Sequence, residues 1–170
     1  ARALLREAGR AALLLEAGDA LRYFTGIGWG RSERPLLYLL PADGEPVLVV
    51  PAFERRTVRE RLPDDDATVL HWQEHESPYA QLAGGLPPGP IAVDPWTRQF
   101  VVDGVQAACK ADVAPATALL RALRSIKGPA ELALLRRANE ATKAALRAVS
   151  AHVSEDMSEA ELAALVHQAQ

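Results

Sequence analysis

Two histidines four residues apart are the first residues in this sequence whose spacing could support chemistry. The segment His71-Trp-Gln-Glu-His75 matches the pattern H-x-x-E-H, in which one helix face presents two imidazoles to zinc beside a glutamate base. That arrangement needs both imidazoles one helical turn apart. Here the pattern follows the strand-like residues 67–70, and Pro78 disfavours a helix through the residue before it. We therefore interpret both histidines as lying at a strand end or in a loop, outside any zinc site.

A glycine-rich loop is the second feature with chemical potential. Residues 26–35 read Gly-Ile-Gly-Trp-Gly-Arg-Ser-Glu-Arg-Pro, without the G-x-G-x-x-G spacing or the Lys-Ser/Thr ending that cradles phosphate. An exposed Trp beside arginines is typical of contact surfaces. We therefore expect a solvated charge cluster here, with a contact surface as the alternative. The candidate contact residues are Trp29, Arg31, Glu33 and Arg34.

The remaining reactive side chains predict no catalytic centre. Cys109 has no second cysteine nearby and is expected to be a buried, inert thiol. Asp64, Asp65 and Asp66 are expected in a turn, because a hard-cation loop needs a longer ligand pattern. Asp94 follows a strand and precedes proline, where turn chemistry explains it. The direct interpretation of the residues finds no nucleophile, general base or metal site.

Composition and charge narrow the class of protein. The 170 residues are 49% hydrophobic and 24% charged, which is typical of globular domains. With 19 basic against 22 acidic side chains the net charge is -3, so no basic field predicts nucleic acid or an anionic membrane as partner. The apolar runs are too short to span a bilayer. A single cysteine favours a reducing compartment, and we expect a cytoplasmic protein.

The elements that must position the candidate residues alternate between strands and helices. This alternation predicts an α/β fold with an open, mostly or partly parallel sheet. A boundary near Gly128 separates it from two long helical patterns, which divides the chain into residues 1–127 and 128–170. Strands are predicted near residues 11–15, 36–40, 46–50, 67–72, 91–94 and 110–113, and a further extended segment at 21–25. Helices are predicted at residues 1–9, 52–62, 79–82 and 97–106. Three more helices are predicted to begin at residue 115, at residue 129 and at the capping pair Ser158 and Glu161.

Several segments, in one consistent order, resemble the creatinase/prolidase family of metallopeptidases. Residues 19–26, Asp-Ala-Leu-Arg-Tyr-Phe-Thr-Gly, resemble its Asn-x-x-Tyr-Leu-Thr-Gly segment, and 91–94 resembles its Ile-Gly-Val-Glu strand. Residues 35–40 and 44–51 are similar to its strand pair ending in proline. The most specific likeness is Leu-Arg-Ser-Ile-Lys-Gly-Pro-Ala-Glu-Leu at 123–132, similar to its junction into the catalytic domain; residues 156–162 resemble its Gly-Met-Thr-Glu-x-Glu segment.

The resemblance implies a three-layer α/β/α creatinase-type amino-terminal domain with a mixed sheet over 1–127. Residues 128–170 would then be the linker and opening helices of an incomplete pita-bread domain. Family members hold two divalent metals, often manganese, on two Asp, one His and two Glu located downstream of the segment that ends at Gln170. The resemblance thus implies no catalytic or metal-binding residue in this chain, and a longer parent that is an Xaa-Pro dipeptidase or aminopeptidase.

The resemblance also implies partners. Family members are commonly homodimers that act on short proline-containing peptides, and in some prolidases the loop equivalent to residues 27–34 reaches the neighbouring active site. The resemblance therefore implies that Trp29, Arg31, Glu33 or Arg34 contacts substrate or partner across a dimer. Three alternatives remain open: metal-free hydrolysis of the creatinase type, a catalytically inactive relative that binds proteins, and a freestanding amino-terminal module that dimerises or binds peptides.

Overall fold

The computed structural model describes residues 1–61, 67–84, 86 and 88–169. The chain divides into two compact units, Ala1–Leu123 and Arg124–Gln170. The turn predicted at Asp64, Asp65 and Asp66 lies outside the described residues. No helix in the described ranges is both long and apolar enough to cross a membrane.

Strands and helices alternate through the first unit, as the sequence pattern predicted. The second and third strands form an antiparallel hairpin, with Gly44 at a positive φ of 112° in its turn. The elements are α1 (Arg2–Glu7), β1 (Ala12–Glu16), α2 (Asp19–Thr25), β2 (Leu37–Pro41), β3 (Val47–Pro51), a 3₁₀ turn (Ala52–Glu54), α3 (Arg55–Arg61), β4 (Thr68–Trp72), α4 (Pro78–Ala83), β5 (Ile91–Val93), α5 (Gln99–Cys109), β6 (Val113–Pro115) and α6 (Thr117–Ser125).

The six strands form one mixed sheet in the order β4-β3-β2-β1-β5-β6. β2 is antiparallel to both of its neighbours, whereas the β1–β5, β5–β6 and β3–β4 pairs are parallel. Every strand except β2 therefore runs in the same direction. The ends of β1, β3, β4, β5 and β6 consequently meet at one edge of the sheet, which we call the carboxyl edge.

Helices cover both faces of the sheet, because its strands carry apolar residues on both sides. In β1, Leu14 packs with Leu82 of α4 and Val101 of α5 on one face. The side chain of the preceding residue, Leu13, lies on the other face and packs with Leu5 of α1. Residues from α2, α3 and α6 complete that second face. The predicted mixed-sheet α/β/α fold is confirmed.

Two predicted elements were wrong in type or position. Residues 21–25 were expected to be extended but form most of α2, whose Ala20 and Leu21 are buried against the sheet while Gly26 ends the helix at a φ of 75°. The strand expected at 110–113 is β6 at Val113–Pro115, because Lys110 takes a left-handed conformation that ends α5. Short aromatic segments are ambiguous in pattern, and tertiary packing decides their type.

The second unit consists of α7 (Pro129–Ser150) and α8 (Glu159–Ala169). Pro129 begins α7, as predicted, and the Glu131 carboxylate accepts a hydrogen bond from the Gly128 N–H at 2.8 Å. The capping pair at α8 is confirmed, since Ser158 N–H donates to Glu161 at 2.9 Å and Glu161 N–H donates back to Ser158 Oγ at 3.3 Å.

Candidate functional site

The loop between α2 and β2 lies at the carboxyl edge, above the middle of the sheet. We call residues 26–34 the contact loop. It leaves α2 at Gly26, and its second residue, Ile27, is fully buried and donates its N–H to Thr25 Oγ1 at 3.1 Å. Pro35 is buried where the chain enters β2. Both ends of the contact loop are thus fixed by the core.

Trp29 is half-buried, so the expectation of an exposed indole is wrong. Its ring packs against the cluster that contains Leu21 and Ile27. The Arg61 guanidinium covers the indole at 5.2 Å from the ring centroid and also donates to the Gly28 carbonyl at 3.1 Å. Trp29 therefore fixes the contact loop to α3 and to the core.

Arg34 is held by ion pairs on two sides. Its guanidinium donates to Glu74 at 2.6 Å and to Glu33, and it lies 5.2 Å from the centroid of the Phe53 ring. The hydrogen bond to Glu74 is the main cause that raises the pKa of Arg34 above its ordinary value. Arg34 therefore joins the end of the contact loop to the segment that follows β4, with its charge neutralised.

A partly buried carboxylate, Glu54, lies beside this ion-pair group. Burial is the main cause that raises the pKa of Glu54 above its usual range; Arg34 lowers it and Glu33 raises it further. The Glu54 Oε2 atom is buried and has no hydrogen-bond partner among the described residues. The cluster around Arg34 thus holds acidic groups on several sides.

Arg31 differs from Arg34 in its surroundings. Its side chain is exposed, and Nε donates to the carbonyl oxygen of Ala17, immediately after β1, at 3.0 Å. The guanidinium lies 3.5 Å from the place that a Cβ on Gly18 would occupy, and Gly18 has a φ of 141°. The main chain at the end of a central strand therefore orients Arg31.

A second polar group at the carboxyl edge, the pair Glu16 and Arg98, was not predicted from the sequence. Glu16, the last residue of β1, has a fully buried side chain that accepts hydrogen bonds from the backbone N–H and the Nε–H of Arg98 at 3.0 and 2.7 Å. Arg98 also lies 4.6 Å from the Phe100 ring centroid. An acidic residue inside an otherwise apolar strand was the available signal, since such a residue needs a partner when buried.

Two exposed aromatic residues also follow strands at this edge. Trp96 is 77% exposed and Phe53 63% exposed, and each comes shortly after a strand and a proline. Asp94 accepts a hydrogen bond from the Trp96 N–H at 3.3 Å, which confirms the turn predicted for Asp94. Exposed aromatic surface at the carboxyl edge therefore comes from residues that the sequence pattern did not single out.

The two histidines of the H-x-x-E-H pattern do not form a helical pair. His71 lies in β4, and His75 lies in the turn that follows. Burial is the main cause that lowers the pKa of His71, and the charges of Arg55 and Arg59 lower it further. Across the described part of the chain, no group of three or more His, Cys, Asp and Glu side chains could hold a metal ion. Cys109 is half-buried, and burial raises its pKa.

The geometry of the carboxyl edge suits recognition more than bond cleavage. Arg31 and Glu33 are exposed charges on a loop fixed at three places, whereas Trp29 and Arg34 are occupied in holding it. A loop that is already ordered loses little conformational entropy when it binds a ligand. The structure therefore brings the four predicted site residues together on one loop, with Arg31 and Glu33 exposed and with Trp29 and Arg34 half-buried against other elements.

Comparison with known proteins agrees with this architecture. Residues 1–126 match the model of the creatinase/prolidase N-terminal domain. The chain is 35% identical to an uncharacterized peptidase of Schizosaccharomyces pombe over 97% of the chain and 39% of that protein. It resembles the crystal structure of dipeptidase PepE from Mycobacterium ulcerans with a TM-score of 0.83 and 29% identity, over 99% of the chain and 46% of that structure.

A dipeptidase from Pyrococcus horikoshii shares the fold, with a TM-score of 0.86 at 24% identity, over 99% of the chain and 47% of that structure. The chain thus spans about two fifths of the curated peptidase relative and about half of each of these two structures.

Proposed function

Because this chain belongs to the creatinase/prolidase family, through its N-terminal domain, we propose that it is the amino-terminal, non-catalytic part of a metal-dependent Xaa-Pro peptidase. The longer protein would hydrolyse the peptide bond before proline. The observation that carries the proposal is the family match over residues 1–126. It is combined with the length of the chain, which spans only 39% of the related S. pombe peptidase.

The described residues do not fit the metal site that such a peptidase needs. A two-metal centre requires several carboxylate and imidazole ligands within one cluster, and the described ranges contain no group of three or more candidate ligands. The two divalent ions of the proposed peptidase, manganese in our proposal, would therefore have to be held by residues other than those described. We derive no catalytic step from this chain.

The proposed activity is tested on the native polypeptide and on this chain in parallel. Immunoblotting of the source cells with an antibody against the chain should give a band roughly twice as heavy as 18.3 kDa, or heavier. The purified native protein with Mn²⁺ should cleave Xaa-Pro dipeptides, and the 170-residue chain should not. A native band at the mass of the chain itself, or a long native protein that binds but never cleaves such peptides, would contradict the proposal.

The contact loop would serve the peptidase by narrowing an active site, either in its own subunit or across a homodimer. Support comes from its fixed backbone and from the exposed charges of Arg31 and Glu33. Replacing both Trp29 and Arg31 with Ala in the native protein should raise KM or change the preferred peptide length. Because Trp29 also packs on the core, Arg31→Ala alone separates contact from folding. Unchanged kinetics on dipeptides and tripeptides would rule out this role.

We further propose a homodimeric protein in the cytoplasm with short proline-containing peptides as substrates. The single cysteine supports a reducing compartment. Sedimentation equilibrium of the native protein measures the assembly directly, and a monomer at micromolar concentration would contradict a stable dimer.

A further inference from the structure

Two cavities lie side by side at the edge of the sheet opposite the carboxyl edge, which we call the amino edge. The larger cavity, about 450 Å³, lies between the turn at residues 88–90, which leads into β5, and residues 109–112, which join α5 to β6. The smaller cavity, about 360 Å³, lies on the other side of the same turn, beside residues 9–11 and 42–43. Cavities of this size can hold small organic ligands.

The wall that the two cavities share is fixed to the strands. The Pro90 carbonyl accepts a hydrogen bond from the Ala11 N–H at 2.9 Å, and the Ile91 N–H donates to the Asp112 carbonyl at 2.7 Å. Gly89 has a φ of 134°, and a Cβ added there would lie 3.0 Å from the Ala11 Cβ. Because backbone contacts already hold this wall in place, a ligand would order little of it on binding.

The larger cavity has an apolar floor, formed by Leu86, Cys109 and Ala111. All three side chains are half-buried, and they pack against the core cluster that contains Leu14 of β1 and Val101 of α5. A ligand lying on this apolar floor would remove apolar surface from water on both sides of the contact.

The charges around the two cavities leave one cation unpaired. In the smaller cavity Arg6 lies 2.7 Å from Asp43, and Arg10 lies 3.9 Å from Asp112 of the larger cavity. Lys110 lines the larger cavity, and its exposed side chain forms no ion pair or hydrogen bond with any described residue. A positive charge is therefore left over at the rim of the larger cavity, where it attracts an anionic group.

We propose that the larger cavity binds a small monocarboxylate with an apolar body, its carboxylate at Lys110 and its body on the apolar floor. The single unpaired cation matches a single negative charge. Asp112, at the same rim, disfavours a doubly charged group such as phosphate. This binding is independent of the proposed peptidase function, and a Kd of about 1 mM is ordinary for a ligand of about twelve non-hydrogen atoms.

Protection of Cys109 from alkylation tests the proposal, because the thiol forms part of the apolar floor. The probes are 4-phenylbutyrate, its neutral counterpart 4-phenylbutyramide, and acetate, which lacks the apolar body. The native protein is treated with iodoacetamide, and mass spectrometry follows the peptide that contains Cys109. At ten times its Kd, 4-phenylbutyrate should slow alkylation by about tenfold. The amide should need about fivefold higher concentration, since an exposed ion pair contributes little more, and acetate should not protect.

Two pairs of variants separate the charge from the apolar floor. Lys110→Gln should weaken protection by the acid about fivefold, whereas Arg121→Gln, which removes an equal charge from an exposed position in α6, should leave it unchanged. Ala83→Phe fills the cavity from the exposed end of α4 and should abolish protection, whereas Ala107→Phe, at an exposed position of α5 outside the cavity lining, should retain it. Each variant is compared by the ratio of its rates with and without the probe, because the substitutions can also change the reactivity of the thiol itself.

Four results would overturn the inference: no saturable protection, equal protection by acid and amide, protection by acetate as strong as that by 4-phenylbutyrate, or unchanged protection in Lys110→Gln. Peptidase assays on the same native protein keep the two proposals apart. A protein that cleaves Xaa-Pro dipeptides without any protection of Cys109 refutes the inference alone. Carboxylate-dependent protection in a protein that cleaves nothing refutes the peptidase and retains the site at the amino edge.

Discussion

Removal of the buried Glu16 carboxylate should destabilise the first unit more than the loss of any exposed ion pair. Glu16 is fully buried and holds both the backbone and the guanidinium of Arg98. Breaking a buried pair by removing one partner costs about 3–5 kcal/mol, because the remaining charge stays uncompensated. The Arg98 side chain is 28% exposed and can recover some hydration. We therefore expect Glu16→Ala to lose about 3 kcal/mol of unfolding free energy, at the lower end of that range.

Tryptophan fluorescence during urea unfolding measures this loss. All three tryptophans, Trp29, Trp72 and Trp96, lie in the first unit, so the signal reports that unit without a contribution from the second. For a protein of this size about 3 kcal/mol corresponds to a fall in Tm of about 6–12 °C. Glu16→Gln preserves the side-chain volume and one acceptor, and its loss should be smaller.

An exposed pair provides the matched control. Arg6 and Asp43 are joined at 2.7 Å in the same unit, but their side chains are 54% and 77% exposed. Asp43→Asn should therefore move the urea midpoint far less than Glu16→Ala, since solvent screens exposed pairs. The reasoning would be refuted if Glu16→Ala cost less than about 1 kcal/mol, or if both variants shifted the midpoint equally.

Three further outcomes are expected. Gly104→Ala should destabilise the first unit by about 1–3 kcal/mol in thermal melts, although alanine favours helices, because the added Cβ would overlap the Tyr79 ring; a raised Tm would contradict this packing. Burial raises the pKa of Cys109, so its alkylation by iodoacetamide at pH 8, followed by mass spectrometry, should be slower than that of an unfolded cysteine peptide, and equal rates would contradict its half-buried position. Hydrogen bonds from Ser158 lower the pKa of Glu161. This cap therefore stabilises α8 at a pH above the unfolded pKa of glutamate, and the stabilisation is lost as the pH falls through the lower folded pKa. Ser158→Ala should reduce the helicity of α8 at neutral pH, measured by ¹³Cα chemical shifts, and unchanged shifts would exclude the cap.

The contact loop shows how far local sequence leads at a site. Three glycines and a cluster of charged residues correctly predicted a loop between residues 26 and 35. The same residues suggested that the Trp29 side chain was exposed. Its cover, Arg61, lies in α3, so no local pattern could have assigned it. The partner of Arg34, Glu74, likewise comes from beyond β4. The exposure of a site residue depends on which elements distant in sequence pack against it. The periodicity of the local sequence does not show which elements these are.

The sequence by itself determined the alternation of strands and helices, and its resemblance to a known family implied the mixed sheet. Buried strands need continuous runs of apolar residues, and helices need apolar residues three or four positions apart. Both patterns can therefore be recognised within a short stretch of sequence. Tertiary structure alone decided that the buried Glu16 carboxylate is paired with Arg98. Glu16 and Arg98 are 82 residues apart in sequence and meet because β1 and β5 are neighbours in the sheet. Charge pairing depends on distances through space, and the order of strands in the sheet sets those distances.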